Sequence, residues 1–163
     1  MHERDVVEGM TERGLRLATA ESTVGGLIGH LLTNCPGSSK VFVGGVTAYH
    51  GGPKMSLLGV DRDTLRAEGS ISEDVVRTMA EGARKAFDVD VAIAESGMAA
   101  PRDPDEPARG VYVIGIAAEG YDNVARYEFD GDRESTKDQA AAQALRLVLD
   151  YLDATSSPDG QGT

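Results

Sequence analysis

The chain has 163 residues and a 40% hydrophobic content, enough for one soluble domain with a substantial core. Its formal net charge of −11, from 27 acidic and 16 basic side chains, excludes a surface that neutralises many nucleic-acid phosphates. A single cysteine, Cys35, excludes an intrachain disulfide and a thiolate metal cluster, and no stretch approaches the roughly 20 apolar residues that span a bilayer. The start Met1-His2-Glu3-Arg4-Asp5 lacks the basic-then-apolar order of a secretory signal, so a cytoplasmic protein without a membrane partner is expected. Twelve of the sixteen basic residues are arginine, and the acidic, lysine-poor, tryptophan-free composition suits a high-salt cytoplasm, where screening weakens repulsion between carboxylates.

Val6, Val7, Met10 and Leu15 recur near helical spacing, which predicts an amphipathic helix over Glu3–Arg13 ending at Gly14. Leu15–Ala20 reads as a short buried strand. Leu27, Ile28, Leu31 and Leu32 place a helical face within Gly26–Asn34, closed by Pro36-Gly37-Ser38-Ser39. Val41–Tyr49, rich in β-branched residues and broken by Gly44-Gly45, reads as a strand with a bulge or a close backbone approach. A turn is expected at His50–Pro53, then short helices over Lys54–Leu58 and Asp61–Glu68, the latter capped by Asp61. Ser72–Phe87 follows as a third, with carboxylates in its first turn.

Val89–Ala94 and Val111–Ala118 have strand length, separated by a proline-rich charged loop, Ala99–Gly110. A hairpin-like turn at Gly120–Asn123 leads to an alternating strand, Val124–Phe129. Asp132–Leu152 closes the pattern as an Asp-capped helix, and the small polar tail 154–163 is expected to be disordered. Strands interleaved with helices, plus one hairpin, predict a single domain over residues 1–153 with a three-layer α/β/α sandwich around a mixed central sheet. GxGxxG is absent from the first strand–helix turn, which weakens a dinucleotide reading.

Two segments carry chemistry. Ala20-Glu21-Ser22-Thr23-Val24-Gly25-Gly26 puts a serine where a strand turns into a helix, with glycines that let a ligand approach the backbone. Ser22 there is either an ordinary N-cap or a nucleophile, and free N–H groups at Val24–Gly26 would hold an oxyanion or a phosphate. In the second segment, Lys54 is either a solvated first-turn lysine or a desolvated general base leaning over the serine turn. Tyr49 either offers its hydroxyl and ring to a ligand or covers the core at a strand end. His2, His30 and His50 show no metal spacing, and Glu21 and Glu95 either tune Lys54 or sit in polar turns.

The order Ala-Glu-Ser, two glycines three residues on, Pro36-Gly37-Ser38-Ser39, Tyr49, then Lys54-Met55 before Leu57-Leu58-Gly59-Val60, resembles the C-terminal domain family of the competence/damage-inducible protein CinA. The resemblance runs from about Leu15 to Leu152 and takes in Phe129-Asp130-Gly131-Asp132-Arg133. Its enzymatic members are nicotinamide-nucleotide amidases, PncC, which implies a serine–lysine hydrolase that deamidates nicotinamide mononucleotide to nicotinate mononucleotide and ammonia. The resemblance implies Ser22, Lys54 and Tyr49 as catalytic residues, and Gly25, Gly26, Ser96, Gly97, Arg133 and Lys137 as substrate-binding. It implies no metal or other cofactor, a small nucleotide as substrate, and a homo-oligomer.

The chain departs from the family pattern at Thr23-Val24, where a cysteine and a threonine are usual. It departs again after Ser96-Gly97, where a glycine-rich turn is replaced by Arg102-Asp103-Pro104-Asp105-Glu106. Acid in that loop repels a phosphate unless Arg102 or Arg109 compensates, and Arg133 and Lys137 either bind the phosphate or merely start a solvated helix. Two alternatives follow: a nucleotide-binding or regulatory domain without catalysis, and a hydrolase of a different small amide.

Overall fold

The computed structural model describes residues 2–156. Three helix starts are set by capping side chains that satisfy otherwise unpaired first amides. Asp61 accepts from the amides of Asp63 (2.9 Å) and Thr64 (3.0 Å), Ser72 from Val75 (3.3 Å), and Asp132 from Ser135 (2.9 Å). These caps open α4 (Arg62–Glu68), α5 (Glu73–Phe87) and α6 (Arg133–Ala154), where the sequence places them. Before them come α1 (Glu3–Glu12), α2 (Leu27–Thr33) and α3 (Gly51–Leu58). No described helix is long and apolar enough to cross a membrane.

The strands are β1 (Leu17–Glu21), β2 (Phe42–Thr47), β3 (Val91–Met98), β4 (Arg109–Ala118) and β5 (Tyr121–Asp130), in the sheet order β2-β1-β3-β4-β5. β1 lies parallel to β2 and β3, whereas β3–β4 and β4–β5 are antiparallel, so the sheet is mixed. Helices α1, α2 and α6 cover one face over Leu17, Val91, Ile93, Ile114 and Ile116. Helix α5 covers the other, over Ala20, Ala92, Ala94, Val113 and Ala117, with α3 and α4 packed against it. The result is the expected three-layer arrangement.

Several boundaries differ from the sequence reading. Leu15 is taken up by a turn, its amide bonding the Met10 carbonyl, so β1 begins two residues later than expected and runs through Glu21. The bulge falls at Phe42–Gly44, one residue ahead of the glycine pair, while Gly45 supplies the close approach: a Cβ there would stand 2.1 Å from Thr19 Oγ1. His50–Pro53 is not a separate turn. Its residues 51–53 form the first turn of α3, where proline lacks an N–H that would have no helical partner anyway.

β3 continues four residues past Ala94, because its antiparallel pairing with β4 runs on to Met98 opposite Val111. The hairpin turn is the two-residue Glu119-Gly120, Ala118 pairing with Tyr121, and not Gly120–Asn123. At the C-terminus Ala154 ends α6, and Arg13 donates to Leu152 O, to Thr155 Oγ1 at 2.9 Å and to Ser156 Oγ at 2.5 Å. The first residues of the expected tail are therefore held in place; 157–163 lie outside the described residues.

Candidate active site

β1 and β3 are parallel neighbours paired as far as Ala20 opposite Ala94, so Glu21-Ser22 on one strand and Glu95-Ser96 on the other both follow the point where this ladder ends. At the strand end the chain turns through Thr23–Gly26 into α2, with Gly25 (φ 67°) and Gly26 (φ 99°) in the left-handed region open to glycine. Four hydrogen bonds rivet this turn to β3. The Thr23 hydroxyl donates to the Gly97 carbonyl (2.7 Å) and accepts from the Gly97 amide (2.9 Å). The Glu95 carboxylate oxygen Oε1 accepts from the amides of Ser22 (2.5 Å) and Val24 (3.0 Å).

Glu21 fills the start of α2 in the same manner. Its two oxygens accept from Ile28 (3.0 Å), Gly29 (2.9 Å) and the Thr19 hydroxyl (3.0 Å), so these amides are not free for an anionic ligand. This corrects the expectation of a vacant helix N-terminus. It corrects the amide set as well, since Val24 bonds Glu95 and Gly25 bonds the Ser22 carbonyl. Thr23 and Gly26 have the amides of the turn that lack an acceptor among the described residues.

Lys54 reaches the opposite side of β3 from α3. It is buried, and its Nζ donates to Ser96 Oγ at 3.1 Å. Desolvation holds its pKa below the ordinary lysine value, against the nearby Glu95 carboxyl, which raises it. The solvated-lysine alternative is thereby removed. Its location follows from α3 starting at Gly51, which moves Lys54 off the solvated helix entrance. Ser22, 3% exposed, bonds through its amide to Glu95, the chain neighbour of the Ser96 that Lys54 binds.

The remaining expected residues divide. Gly25, Gly26 and Lys137 line a cavity of about 340 Å³ between the turn and the start of α6, along with His30, Glu134 and Asp138. Arg133 and Lys137 line an adjoining hollow with Asp132 and Glu134. Gly97 packs too closely for any side chain, a Cβ there falling 2.4 Å from the Tyr112 ring, and both its backbone polar groups are taken by Thr23. Tyr49 is 58% exposed beyond β2, with His50 against its ring at 6.0 Å, so it does not cover the core. In the altered loop, Arg109 is engaged by Glu128 at 3.4 Å on the adjacent strand.

A sequence model of the CinA C-terminal domain matches residues 1–152. The chain belongs to the CinA C-terminal domain family. It is 40% identical over 152 residues to a CinA-like protein of Thermotoga neapolitana, a match that covers 92% of this chain and 37% of that protein. The domain thus spans little more than a third of the length of such relatives. Among solved structures, a CinA superfamily protein from Enterobacter cloacae aligns at 27% identity and a TM-score of 0.84, over 93% of each chain. The competence/damage inducible protein CihA from Agrobacterium tumefaciens aligns at 30% identity and a TM-score of 0.79, again over 93% of each.

In this CinA domain two residues have roles that the sequence reading left open or passed over. Glu95 is fully buried in a strand of otherwise small and apolar residues, and such a carboxyl must find backbone donors or stay protonated. Thr136 of α6, also buried, donates to the Ala99 carbonyl at 2.7 Å and meets the Tyr112 hydroxyl at 3.2 Å, tying the loop after β3 to the start of α6. Glu95 had a signal in the sequence, a lone carboxylate inside an apolar run. Thr136 had none.

Proposed function

We propose that this domain is an amidohydrolase that deamidates nicotinamide mononucleotide through Ser22 and Lys54. The observation that carries this reading is the buried Lys54 Nζ, its pKa depressed by desolvation, bonded to the hydroxyl of Ser96, next in the chain to the Glu95 that holds the Ser22 amide. A lysine whose pKa is lowered by burial gives up its proton more readily than a solvated one, and as the free amine it accepts a proton from a serine hydroxyl. Ser22 Oγ attacks the carboxamide carbon, and its proton passes to Lys54 with Ser96 holding the amine in place. The tetrahedral oxyanion is held by the two unengaged amides, Thr23 and Gly26. As the C–N bond breaks, Lys54 returns the proton to the leaving nitrogen and ammonia departs. Water, deprotonated by Lys54, then hydrolyses the acyl-serine.

The cavity of about 340 Å³ beyond Gly25-Gly26 has the size of a small-ligand site; Lys137 lines it and Arg133 lines the adjoining hollow, and the two cations support a phosphate-binding role. The deciding assay is ammonia release from nicotinamide mononucleotide by the purified domain. Ser22→Ala is expected to lower the rate by at least about a thousandfold with the fold intact. Turnover that this substitution leaves untouched ends the mechanism. One observation favours a second reading, a hydrolase of a different small amide: Glu134 and Asp138 face the same cavity as Lys137. That reading predicts Ser22 labelling by an acylating probe without release of ammonia from the pyridine nucleotide.

A further inference from the structure

Glu95 is the least expected group at the centre of this molecule. It is 0% exposed, its Oε1 takes two amides, and its Oε2 has no partner at all among the described residues. A valine or isoleucine in its place would be buried without that cost. What an apolar side chain cannot supply is an acceptor for Ser22 N–H and Val24 N–H. Both lie just past the point where the β1–β3 ladder stops, so neither has a strand partner. The carboxyl replaces the missing rung and fixes the turn on which Ser22 stands.

Its charge has a second reach. The titratable groups acting on Glu95 are Glu21 from β1, Lys54 from α3 and Tyr112 from β4. Lys54 is the only cation among them. An anion at Glu95 favours the ammonium form of Lys54, and a neutral carboxyl releases it toward the amine that a general base requires. The two groups are therefore coupled, although they stand on opposite faces of β3.

We propose that Glu95 is a positioning residue that clamps the Ser22 turn through the amides of Ser22 and Val24 and, by ionising, sets the protonation of Lys54. This rests on the reading of Ser22 and Lys54 given above. Desolvation pushes the Glu95 carboxyl up to about 7, which puts the coupling within the physiological range. Glu95→Gln separates the two roles, because its amide oxygen still accepts both N–H groups but never ionises. Glu95→Val removes the acceptor altogether.

The clamp is read without any substrate, from the ¹H–¹⁵N resonances of Ser22 and Val24 between pH 5 and 9. In the wild type both amides follow one titration with a midpoint near 7. In Glu95→Gln both are flat, with the rest of the spectrum unchanged, and in Glu95→Val the same two amides lose protection from exchange. A wild-type spectrum in which they do not titrate, or an identical titration in Glu95→Gln, overturns the clamp. The charge role is read from the pH dependence of Ser22 labelling by a fluorophosphonate. Half-maximal labelling in Glu95→Gln moves to lower pH by about one unit, the scale of one neighbouring charge; an unmoved profile overturns that half. Wild-type Ser22 that takes no label at any pH instead defeats the nucleophile reading, while the amide titration still decides for or against the clamp.

Discussion

A carboxyl whose pKa rises from 4.5 to about 7 on folding binds its proton more tightly in the native chain than in the unfolded one. The stability it contributes is present in full below the unfolded value of 4.5 and is lost as pH climbs through the folded value near 7. The loss amounts to about 2 to 3 kcal/mol for a group this buried. Glutamine at the same position has no such dependence. Between pH 5 and pH 8, the unfolding free energy of Glu95→Gln relative to wild type should therefore move in favour of the variant by about 2 to 3 kcal/mol. Urea denaturation at the two pH values measures the gap. Lys54 pulls the other way in both proteins, its lowered pKa adding stability as pH rises toward the ordinary lysine value, and more so in the variant, where no anion at Glu95 opposes that lowering. A gap of equal size at both pH values would show that Glu95 does not titrate between them.

At the scale of elements, Lys54 is delivered by the packing of one helix on another. Gly82 of α5 lies against the last carbonyl of α3: a Cβ at that position would stand 2.1 Å from Leu58 O and 2.7 Å from Leu58 C. The obstacle is backbone, so it cannot swing aside, and α3 must back away with Lys54 on it. Gly82→Ala gains about 1 kcal/mol in helix propensity but should lose more through the clash, for a net destabilisation of about 1 to 3 kcal/mol. Gly9→Ala is the control. In α1 the added methyl would meet only the end of the Leu152 side chain, at 2.9 Å, which can rotate, so the melting temperature should hold or rise. Thermal melts of the two variants together with Ser22 labelling test the point; a Gly82→Ala protein as stable and as reactive as wild type would refute it.

The same scale explains what the sequence made legible. The caps Asp61, Ser72 and Asp132 act within four residues of themselves, so α4, α5 and α6 could be placed from local pattern. β3 was read too short because its last four residues are strand only by pairing with β4, and that partner is more than ten residues away along the chain. The site divides along the same line. Ser22, Lys54 and the glycine turn were visible as spacing and resemblance. The partners that decide what they do, Glu95 under Ser22 and Ser96 against Lys54, are brought in by strand register across 73 and 42 residues of chain. Tyr49 shows the converse, since a strand-end aromatic has the same local signature whether it points to the core or, as here, to solvent.

For the whole molecule, a net charge of −11 makes the compact state repel itself. The ion pairs among the described residues, Arg77 with Asp74 and Asp122, Arg84 with Glu81, Arg109 with Glu128 and Arg146 with Asp150, are at least partly exposed and offset little of this. Salt weakens both the few attractions and the many repulsions, and with this excess of carboxylates the repulsions dominate. The screening length falls from about 10 Å at 0.1 M to about 3 Å at 1 M, so most of the gain should arrive below molar salt. Potassium chloride at 1 M should therefore raise the melting temperature at pH 7.5 by about 2 to 4 °C, the equivalent of about 1 kcal/mol for a chain of this size. General salting-out would also raise it, and pH separates the two causes. Near the sequence pI of about 4.6 the net charge vanishes and with it the repulsion, so a screening effect disappears there while a salting-out effect persists. A salt-induced rise of equal size at pH 7.5 and near the pI would mean that the acidic surface is not what salt acts on.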